Sequence, residues 1–147
     1  TDTTYKTAKQ VVHYIINAAG RNANLLLNVG PMPDGVIQQE FVDTLLKAGH
    51  WLQEYGESIY DTRAGWLPLQ PWGVATTKGD KVYFHVLKKP ESGYIVFDNP
   101  SFKIKSATDF VSGASLKFKQ TRHILSIPVS EAAEHDYNGA IIELQLK

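Results

Sequence analysis

The chain has 147 residues, and its 15 basic and 15 acidic residues leave a formal net charge of zero. A hydrophobic content of 43% and an aromatic content of 11% are typical of a packed globular core rather than a disordered segment. The neutral balance gives no electrostatic reason to bind nucleic acid or an anionic membrane surface. No apolar run approaches the roughly 20 residues of a membrane span, and the lack of cysteine excludes disulfides and thiolate metal sites.

Two helices are predicted in the first part of the chain. The first runs from Tyr5 to Ala19, because its apolar residues recur every three or four positions and form one face. We expect a residue within 2–4 to cap its start and Gly20 to end it. The second is predicted from Ile37 to Tyr55, with Gly56 as its C-cap.

A short buried strand is predicted between these helices. Leu25–Val29 is long enough for a strand buried on both faces and too short for a helix. Gly30-Pro31 ends it, because proline has no N–H to give to a sheet, and Pro33-Asp34-Gly35 predicts a tight turn. The order of helix, strand, loop and helix indicates a parallel α/β unit, which is not stable alone.

The rest of the chain is predicted to be a packed connector followed by a β-sandwich. Residues 61–73 hold Trp66 and Trp72, which are too apolar for a free linker, so we expect both rings to be buried at a domain junction. From Val74 to Lys147 the apolar residues alternate in about seven short segments separated by turn residues, a pattern that favours an antiparallel sandwich. One shared core is expected to contain Val82, Phe84, Leu116, Phe118, Ile142 and Leu144.

Several stretches resemble one enzyme family. Asn24-Leu-Leu-Leu-Asn-Val-Gly-Pro31, followed by Asp34-Gly35 and Ile37, resembles the last barrel strand of the α-L-fucosidases of glycoside hydrolase family 29. Further stretches resemble the same family in the same order, and the resemblance then weakens from Lys78-Gly79-Asp80 to the C-terminus. These stretches are Gly49–Leu52 with Tyr55–Glu57, Ile59–Arg63 and Pro71–Gly73.

The resemblance implies a mixed α and β fold, in which the terminal segment of a (β/α)8 barrel is followed by an antiparallel β-sandwich. Residues 1–60 would be the last helix-strand-helix unit of the barrel, 61–73 the packed connector and 74–147 the sandwich. A whole barrel needs about 250 residues, so the chain is expected to be the tail of a longer polypeptide. Its partner would be the remaining N-terminal barrel, and the family implies a secreted, periplasmic or lysosomal location.

The implied activity is retaining, exo-acting hydrolysis of terminal α-linked L-fucose from a fucosylated glycan. Retention requires two carboxyl groups, one as nucleophile and one as acid/base. In the family both precede the last barrel strand, so no catalytic residue is assigned within this chain. No cofactor and no metal site are expected, since none of the histidines has a metal-binding spacing. The histidines, His13, His50, His85, His123 and His135, are expected to be partner-bonded or on the surface, with His85 and His123 on strands.

Asn28 is the one candidate for substrate binding. It stands at the C-terminal end of the predicted strand, where barrel enzymes place their active sites. Its amide would contact a sugar hydroxyl or a catalytic carboxylate, or alternatively would tie down the Gly30-Pro31 turn; both interpretations stay open. Asp34 is assigned to its own turn and Asn24 to a structural role. The remaining carboxylates of this part are expected to be solvated: Glu40, Asp43, Glu54 and Glu57.

Two other functions are compatible with these patterns. The sandwich would be a carbohydrate-binding module without activity if its exposed aromatic rings formed a flat platform. Alternatively, it would be a structural domain that braces the barrel, which is compatible with the fucosidase interpretation and is the combination that we favour. The rings available for a platform are Trp66, Trp72, Tyr83, Tyr94 and Tyr137.

Overall fold

The computed structural model describes residues 4–129, 132–137 and 139–147. In these ranges, helices α1 (Ala8–Ala19) and α2 (Gln39–Tyr55) are followed by a 3₁₀ turn (Gly56–Ser58) and then by strands. The strands are β1 (Gly73–Lys78), β2 (Lys81–Val86), β3 (Tyr94–Asp98), β4 (Ile104–Asp109), β5 (Lys119–Gln120), β6 (Ile124–Pro128) and β7 (Ala140–Leu146). Neither helix of the described ranges is long and apolar enough to cross a membrane.

The strands form two antiparallel sheets. The larger sheet has the order β1-β2-β7-β4 and the smaller one the order β3-β6-β5. Every pairing between these strands is antiparallel, and a bulge between Ile104 and Ser106 interrupts the register of β4 against β7. The inner faces of the two sheets contribute to one hydrophobic core, so the predicted antiparallel arrangement is confirmed.

The predicted core is confirmed, although one of its strands is shorter than expected. Val82, Phe84, Ile142 and Leu144 are fully buried, Leu116 is buried, and the partly buried Phe118 packs against them. The alternation around Leu116 and Phe118 predicts a strand there, but the strand itself is limited to Lys119–Gln120. These side chains therefore reach the core from an extended loop that ends in a short edge strand.

The central strands of the larger sheet are buried on both faces. Tyr83 of β2 and Ile141 of β7 lie on the face opposite to the sandwich core, and both are fully buried. They belong to a second cluster that contains Val11 and Val12 of α1 and Trp51 of α2. The helices therefore cover the outer face of the larger sheet.

The start of α1 differs from the prediction. Its N-cap is Thr7, whose hydroxyl accepts a hydrogen bond from the backbone N–H of Gln10 at 3.2 Å. The Gln10 side chain accepts from the Thr7 backbone N–H at 2.8 Å, which completes a capping box. The predicted helix start at Tyr5 is therefore wrong, and so is a cap within residues 2–4, of which only Thr4 is described. Likewise α2 begins at Gln39 rather than at Ile37.

The glycines that end the helices serve close packing rather than a left-handed backbone. Gly20 has φ −68° and Gly56 has φ −62°, both in the right-handed region. A Cβ on Gly20 would overlap the side chain of Val74, so α1 and β1 approach each other closely at this point. A Cβ on Gly56 would lie 2.6 Å from the Tyr60 ring. The left-handed residue after α1 is Asn22, with φ 52°.

Leu25–Val29 forms no strand, which corrects the prediction. A strand exists only where neighbouring strands pair with it, and the chain supplies no parallel neighbour to this run. Leu26 is consequently 84% exposed. The turn after it is confirmed: Gly35 has φ 84°, its N–H donates to the Met32 carbonyl at 2.8 Å, and Pro31 bridges to Ile37.

The two tryptophans of the connector have different environments. Trp72 is 6% exposed, but it belongs to the sandwich core, where its ring centroid lies 4.9 Å from that of Phe84. Its burial is confirmed, while its predicted place at a domain junction is wrong. Trp66 is 49% exposed and packs against Phe102, with 4.6 Å between the ring centroids. Burial of Trp66 was expected in the presence of a complete barrel and stays a prediction.

Candidate functional site

The cleft that contains Asn28 lies between the irregular segment before the turn and the start of α2. Its volume is about 290 Å³. The irregular segment contributes Leu27, Asn28, Val29 and Gly30 to its lining. Helix α2 contributes Phe41, Thr44 and Leu45, and the start of the chain contributes Thr4 and Lys6. The capping box at Thr7 and the turn at Gly35 fix the two chain segments that border this cleft.

Asn28 has no structural partner in the part of the chain that the structure describes. Its side chain is exposed and takes part in none of the described hydrogen bonds, so nothing here supports the interpretation in which it ties down the Gly30-Pro31 turn. An amide of this kind can donate two hydrogen bonds and accept others. No Asp or Glu lines the cleft, so it can bind hydroxyl groups but holds no carboxyl for acid–base or nucleophilic chemistry.

Asp34 is engaged by its own turn. Its Oδ1 accepts a hydrogen bond from the Val36 backbone N–H at 3.0 Å, the local pattern that aspartate adopts in turns. The side chain is exposed and does not line the cleft of Asn28. The assignment of Asp34 to turn formation is therefore confirmed.

Glu57 is not merely solvated, which corrects the expectation for this carboxylate. It accepts hydrogen bonds from the Lys81 ammonium at 3.0 Å and from the Tyr83 hydroxyl at 2.9 Å. The hydrogen bond from Lys81 is the main cause that lowers the pKa of Glu57. The same contacts raise the pKa of Lys81, while burial is the main cause that raises the pKa of Tyr83. This network ties the 3₁₀ turn after α2 to strand β2.

His85 is fully buried beside the same turn. The Thr76 hydroxyl donates to the Ser58 carbonyl at 2.6 Å, and Nε2 of His85 lies 3.2 Å from that hydroxyl and 3.3 Å from that carbonyl. Nε2 is therefore the protonated nitrogen, and Nδ1 is buried without a partner. Burial lowers the pKa of His85 to about 4.

His135 lies in an aromatic cage between α2 and the sandwich. Its ring centroid is 5.6 Å from that of Trp51 and 5.7 Å from that of Tyr55. Nδ1 accepts a hydrogen bond from the Tyr137 backbone N–H at 3.2 Å, and Nε2 is buried without a partner. Burial is the main cause that lowers the pKa of His135 to about 4, and the neighbouring His13 adds to it.

No pattern in the sequence singles out His135, and only the alternation along β2 points to His85. The other histidines have partners as expected: His13 Nε2 lies 2.9 Å from the Tyr137 carbonyl, His50 contacts Gln53, and His123 contacts Asn99. His123 precedes β6 instead of lying on a strand. No group of three or more potential metal ligands exists in the described ranges.

The aromatic residues do not form a sugar-binding platform. Trp72 and Tyr83 are buried, Tyr137 is partly buried, and only Trp66 and Tyr94 of the candidate rings are exposed. Trp66 packs on Phe102 while Tyr94 lies on β3. The structure therefore gives no support to a binding module built on several coplanar rings.

Comparison with known proteins identifies similar chains. Residues 1–57 match the family model described as "Alpha-L-fucosidase". The chain is 35% identical over 109 residues to the tissue α-L-fucosidase of Rattus norvegicus, covering 67% of this chain and 22% of the rat protein. It is 26% identical over 145 residues to an α-L-fucosidase of Dictyostelium discoideum, covering 92% of this chain and 32% of that protein. The chain therefore spans about a third or less of these curated relatives.

The structural similarity extends over almost the whole chain. The solved structure of α-L-fucosidase isoenzyme 1 from Paenibacillus thiaminolyticus superposes with a TM-score of 0.86 at 34% sequence identity. The match covers 99% of this chain and 36% of that protein. Both the helical part and the sheets are therefore included in the similarity.

Proposed function

Because the chain belongs to the α-L-fucosidases of glycoside hydrolase family 29, we propose that it is the C-terminal part of a retaining, exo-acting enzyme. The complete protein removes terminal α-linked L-fucose from glycans. Residues 1–60 complete the catalytic barrel, 61–73 connect it to the sandwich, and 74–147 form the sandwich that braces the barrel. The chemistry belongs to residues that precede this chain.

The observation that carries this proposal is the apolar surface that the first 60 residues expose. Leu25 and Leu26 lie next to each other in the segment without strand partners, Val36 follows Gly35 and Leu46 lies on α2, and all four of these large hydrophobic residues are exposed. Scattered apolar residues are ordinary on a protein surface, but a contiguous set marks an interaction site. Neighbouring barrel strands would pair with Leu25–Val29 and cover these side chains.

The composition of the Asn28 cleft supports a role in substrate binding for this chain and a catalytic role for other parts of the protein. A retaining mechanism needs two carboxyl groups about 5–5.5 Å apart, and the cleft holds none. Asn28 has an exposed amide without a protein partner, which suits a hydrogen bond to a fucose hydroxyl. In this proposal Asn28 binds substrate at the mouth of the barrel, and the carboxylates come from earlier strands.

The first experiment tests where the chemistry resides. The 147-residue chain alone is expected not to hydrolyse an aryl α-L-fucoside above the buffer rate, because misplacing catalytic groups by about 1 Å can cost 10²-fold and here they are absent. The complete protein is expected to hydrolyse it with retention, measured by NMR of the first-formed anomer. Turnover by the short chain, abolished by changing one of its own carboxylates, would contradict the proposal, as would an inverted product.

The second experiment tests Asn28 in the complete protein. Asn28→Ala is expected to lower kcat/KM for the aryl fucoside at least about fivefold, since a lost hydrogen bond to substrate is worth about 1 kcal/mol or more. Asn24→Ala is the matched control, because Asn24 is also exposed but lies away from the cleft. Equal kcat/KM for the two variants, with unchanged thermal melting, would exclude Asn28 from substrate binding.

A further inference from the structure

A basic groove lies where the open edges of the two sheets meet. It has a volume of about 840 Å³ and lies between the start of β4 and the segment around β5. Four of its lining residues are cationic, and none is an Asp or a Glu: the four are Lys103, Lys105, Arg122 and Lys147. The groove is separate from the Asn28 cleft, with which it shares no residue.

The cationic side chains of this groove form no ion pair with the described residues. The ion pairs of the described ranges involve Lys78, Lys81 and Lys89, and none of the four groove cations. The formal net charge of the whole chain is zero, so the fold concentrates cations at this edge. A concave surface lined by one sign of charge focuses its field and attracts ligands of the opposite sign.

The walls of the groove are held in place before any ligand binds. The Gln120 side chain accepts a hydrogen bond from the Ile104 backbone N–H at 3.0 Å and donates one to the Phe102 carbonyl at 2.9 Å. This amide therefore links the edge of the smaller sheet to the edge of the larger one. Phe102 and Phe118 also line the groove and are partly buried, so its surface combines apolar rings with cations.

We propose that this groove binds an acidic polysaccharide through the sulfate or carboxylate groups of the chain. Several cations on two walls suit a polymer with repeated anionic groups better than a single small anion. Phe102 and Phe118 place apolar carbon beside the cations, with the Phe102 ring itself packed against Trp66 and Phe97. The choice of a glycan over a nucleic acid rests on the proposed function, whereas the anionic character of the ligand rests on the groove itself.

The test is a binding measurement on the complete protein with defined probes. Dextran sulfate or polygalacturonate is expected to bind with a Kd that weakens strongly between 50 and 300 mM salt, since screening grows with ionic strength (about 10 Å Debye length at 0.1 M). Neutral dextran of the same length is expected not to bind. The polyanion that binds identifies the anionic group, sulfate or carboxylate, that the groove prefers.

Matched variants separate the groove from general attraction by positive charge. Lys103→Gln/Lys105→Gln/Arg122→Gln is expected to weaken polyanion binding at least tenfold. Lys9→Gln/Lys47→Gln/Lys88→Gln removes the same charge from exposed lysines outside the groove and is expected to change Kd less than twofold. Equal losses in the two variants would overturn the proposal, and so would the absence of binding to both polyanions.

Two further readouts keep this proposal distinct from the fucosidase proposal. Hydrolysis of a small aryl α-L-fucoside is expected to be unchanged in the groove variant, because such a substrate is neutral and the groove shares no residue with the Asn28 cleft. If double-stranded DNA bound the groove more tightly than both polysaccharides, the glycan assignment would be wrong. Circular dichroism of both variants checks that the six exposed substitutions leave the fold intact.

Discussion

The two regions of this molecule differ in how completely they bury their apolar residues. In the sandwich, Val82, Phe84, Ile142 and Leu144 are enclosed between two sheets, and the larger sheet is covered by helices on its outer face. In the first 60 residues, the helices bury the faces that meet each other and the sandwich, while Leu25 and Leu26 stay exposed. The strands of the sandwich pair with one another, whereas Leu25–Val29 has no strand partner among the described residues.

This difference shows that similar local patterns have different outcomes when their partners differ. Val82–Val86 and Leu25–Val29 are both short apolar runs. The first finds antiparallel neighbours in β1 and β7, because a hairpin turn and the C-terminal strand bring them close. The second would need parallel neighbours from elsewhere, because parallel strands are joined only by long crossover connections.

The largest expected effect lies in the sandwich core. Phe84 is fully buried between Trp72 and Phe97, with ring centroids 4.9 and 5.8 Å away. Phe84→Ala is expected to lower the free energy of unfolding by about 3–5 kcal/mol, because it leaves a cavity. Denaturant unfolding measures this loss, with Val96→Ala on the exposed face of β3 as a control that should stay within about 0.5 kcal/mol. A loss under about 1 kcal/mol for Phe84→Ala would mean that the core is assigned to the wrong face.

The next effect concerns the close approach between the two regions. Gly20→Ala is expected to destabilise the protein by about 3 kcal/mol, the upper end of the overpacking range, because the new methyl group overlaps Val74 of β1. Gly49→Ala in α2 is the matched control, since its Cβ meets nothing within 4 Å and alanine favours a helix. Thermal melting compares the two variants. Equal melting temperatures would mean that α1 does not pack on β1 as described.

The packing of α2 and the 3₁₀ turn against the sandwich is also expected to be less stable in acid. The pKa values of His85 and His135 are lowered to about 4 from the ordinary value near 6.5. Between about pH 4 and pH 6.5 the unfolded chain therefore binds more protons than the folded chain. The free energy of unfolding is consequently highest above about pH 6.5 and decreases as the pH falls below it. Each histidine is expected to cost about 2 kcal/mol of stability by pH 5.

A histidine substitution tests this pH dependence directly. His135→Asn keeps an acceptor for the Tyr137 N–H but does not titrate in this range. The slope of the free energy of unfolding against pH from 7 to 5 is expected to decrease in this variant. Leu46→Ala, at an exposed position of α2, changes no titratable group and should keep the slope of the unmodified protein. An unchanged slope in His135→Asn would show that His135 is not buried in its neutral form.

The smallest effect is expected at the start of α1. Thr7→Ala removes the side-chain acceptor of the capping box and is expected to cost about 1 kcal/mol. Thr7→Ser keeps a hydroxyl and is expected to leave stability unchanged, because serine is at least as favourable an N-cap as threonine. Hydrogen exchange of the first turn of α1 measures the difference locally. Equal protection in the two variants would argue against the cap.

Much of the architecture could be predicted from the sequence because local patterns are strongly tied to local geometry. Period-two alternation predicted about seven short strands after Val74, and the described residues form seven, β1 to β7, while period-3.6 spacing predicted both helices. Helix ends were less predictable, since the cap at Thr7 competes with other polar residues nearby. For the site, the sequence named Asn28 as the one candidate for substrate binding, and that role stays a prediction.

What the sequence did not determine depends on contacts between distant segments. Only the packing of α2 against the sandwich encloses His135 with Trp51 and Tyr55. The same applies to charge: the composition is neutral, but β4 and β5 bring cations from separate parts of the chain to one edge. Sequence patterns report period and composition along the chain, whereas burial and electrostatic potential depend on distances across it.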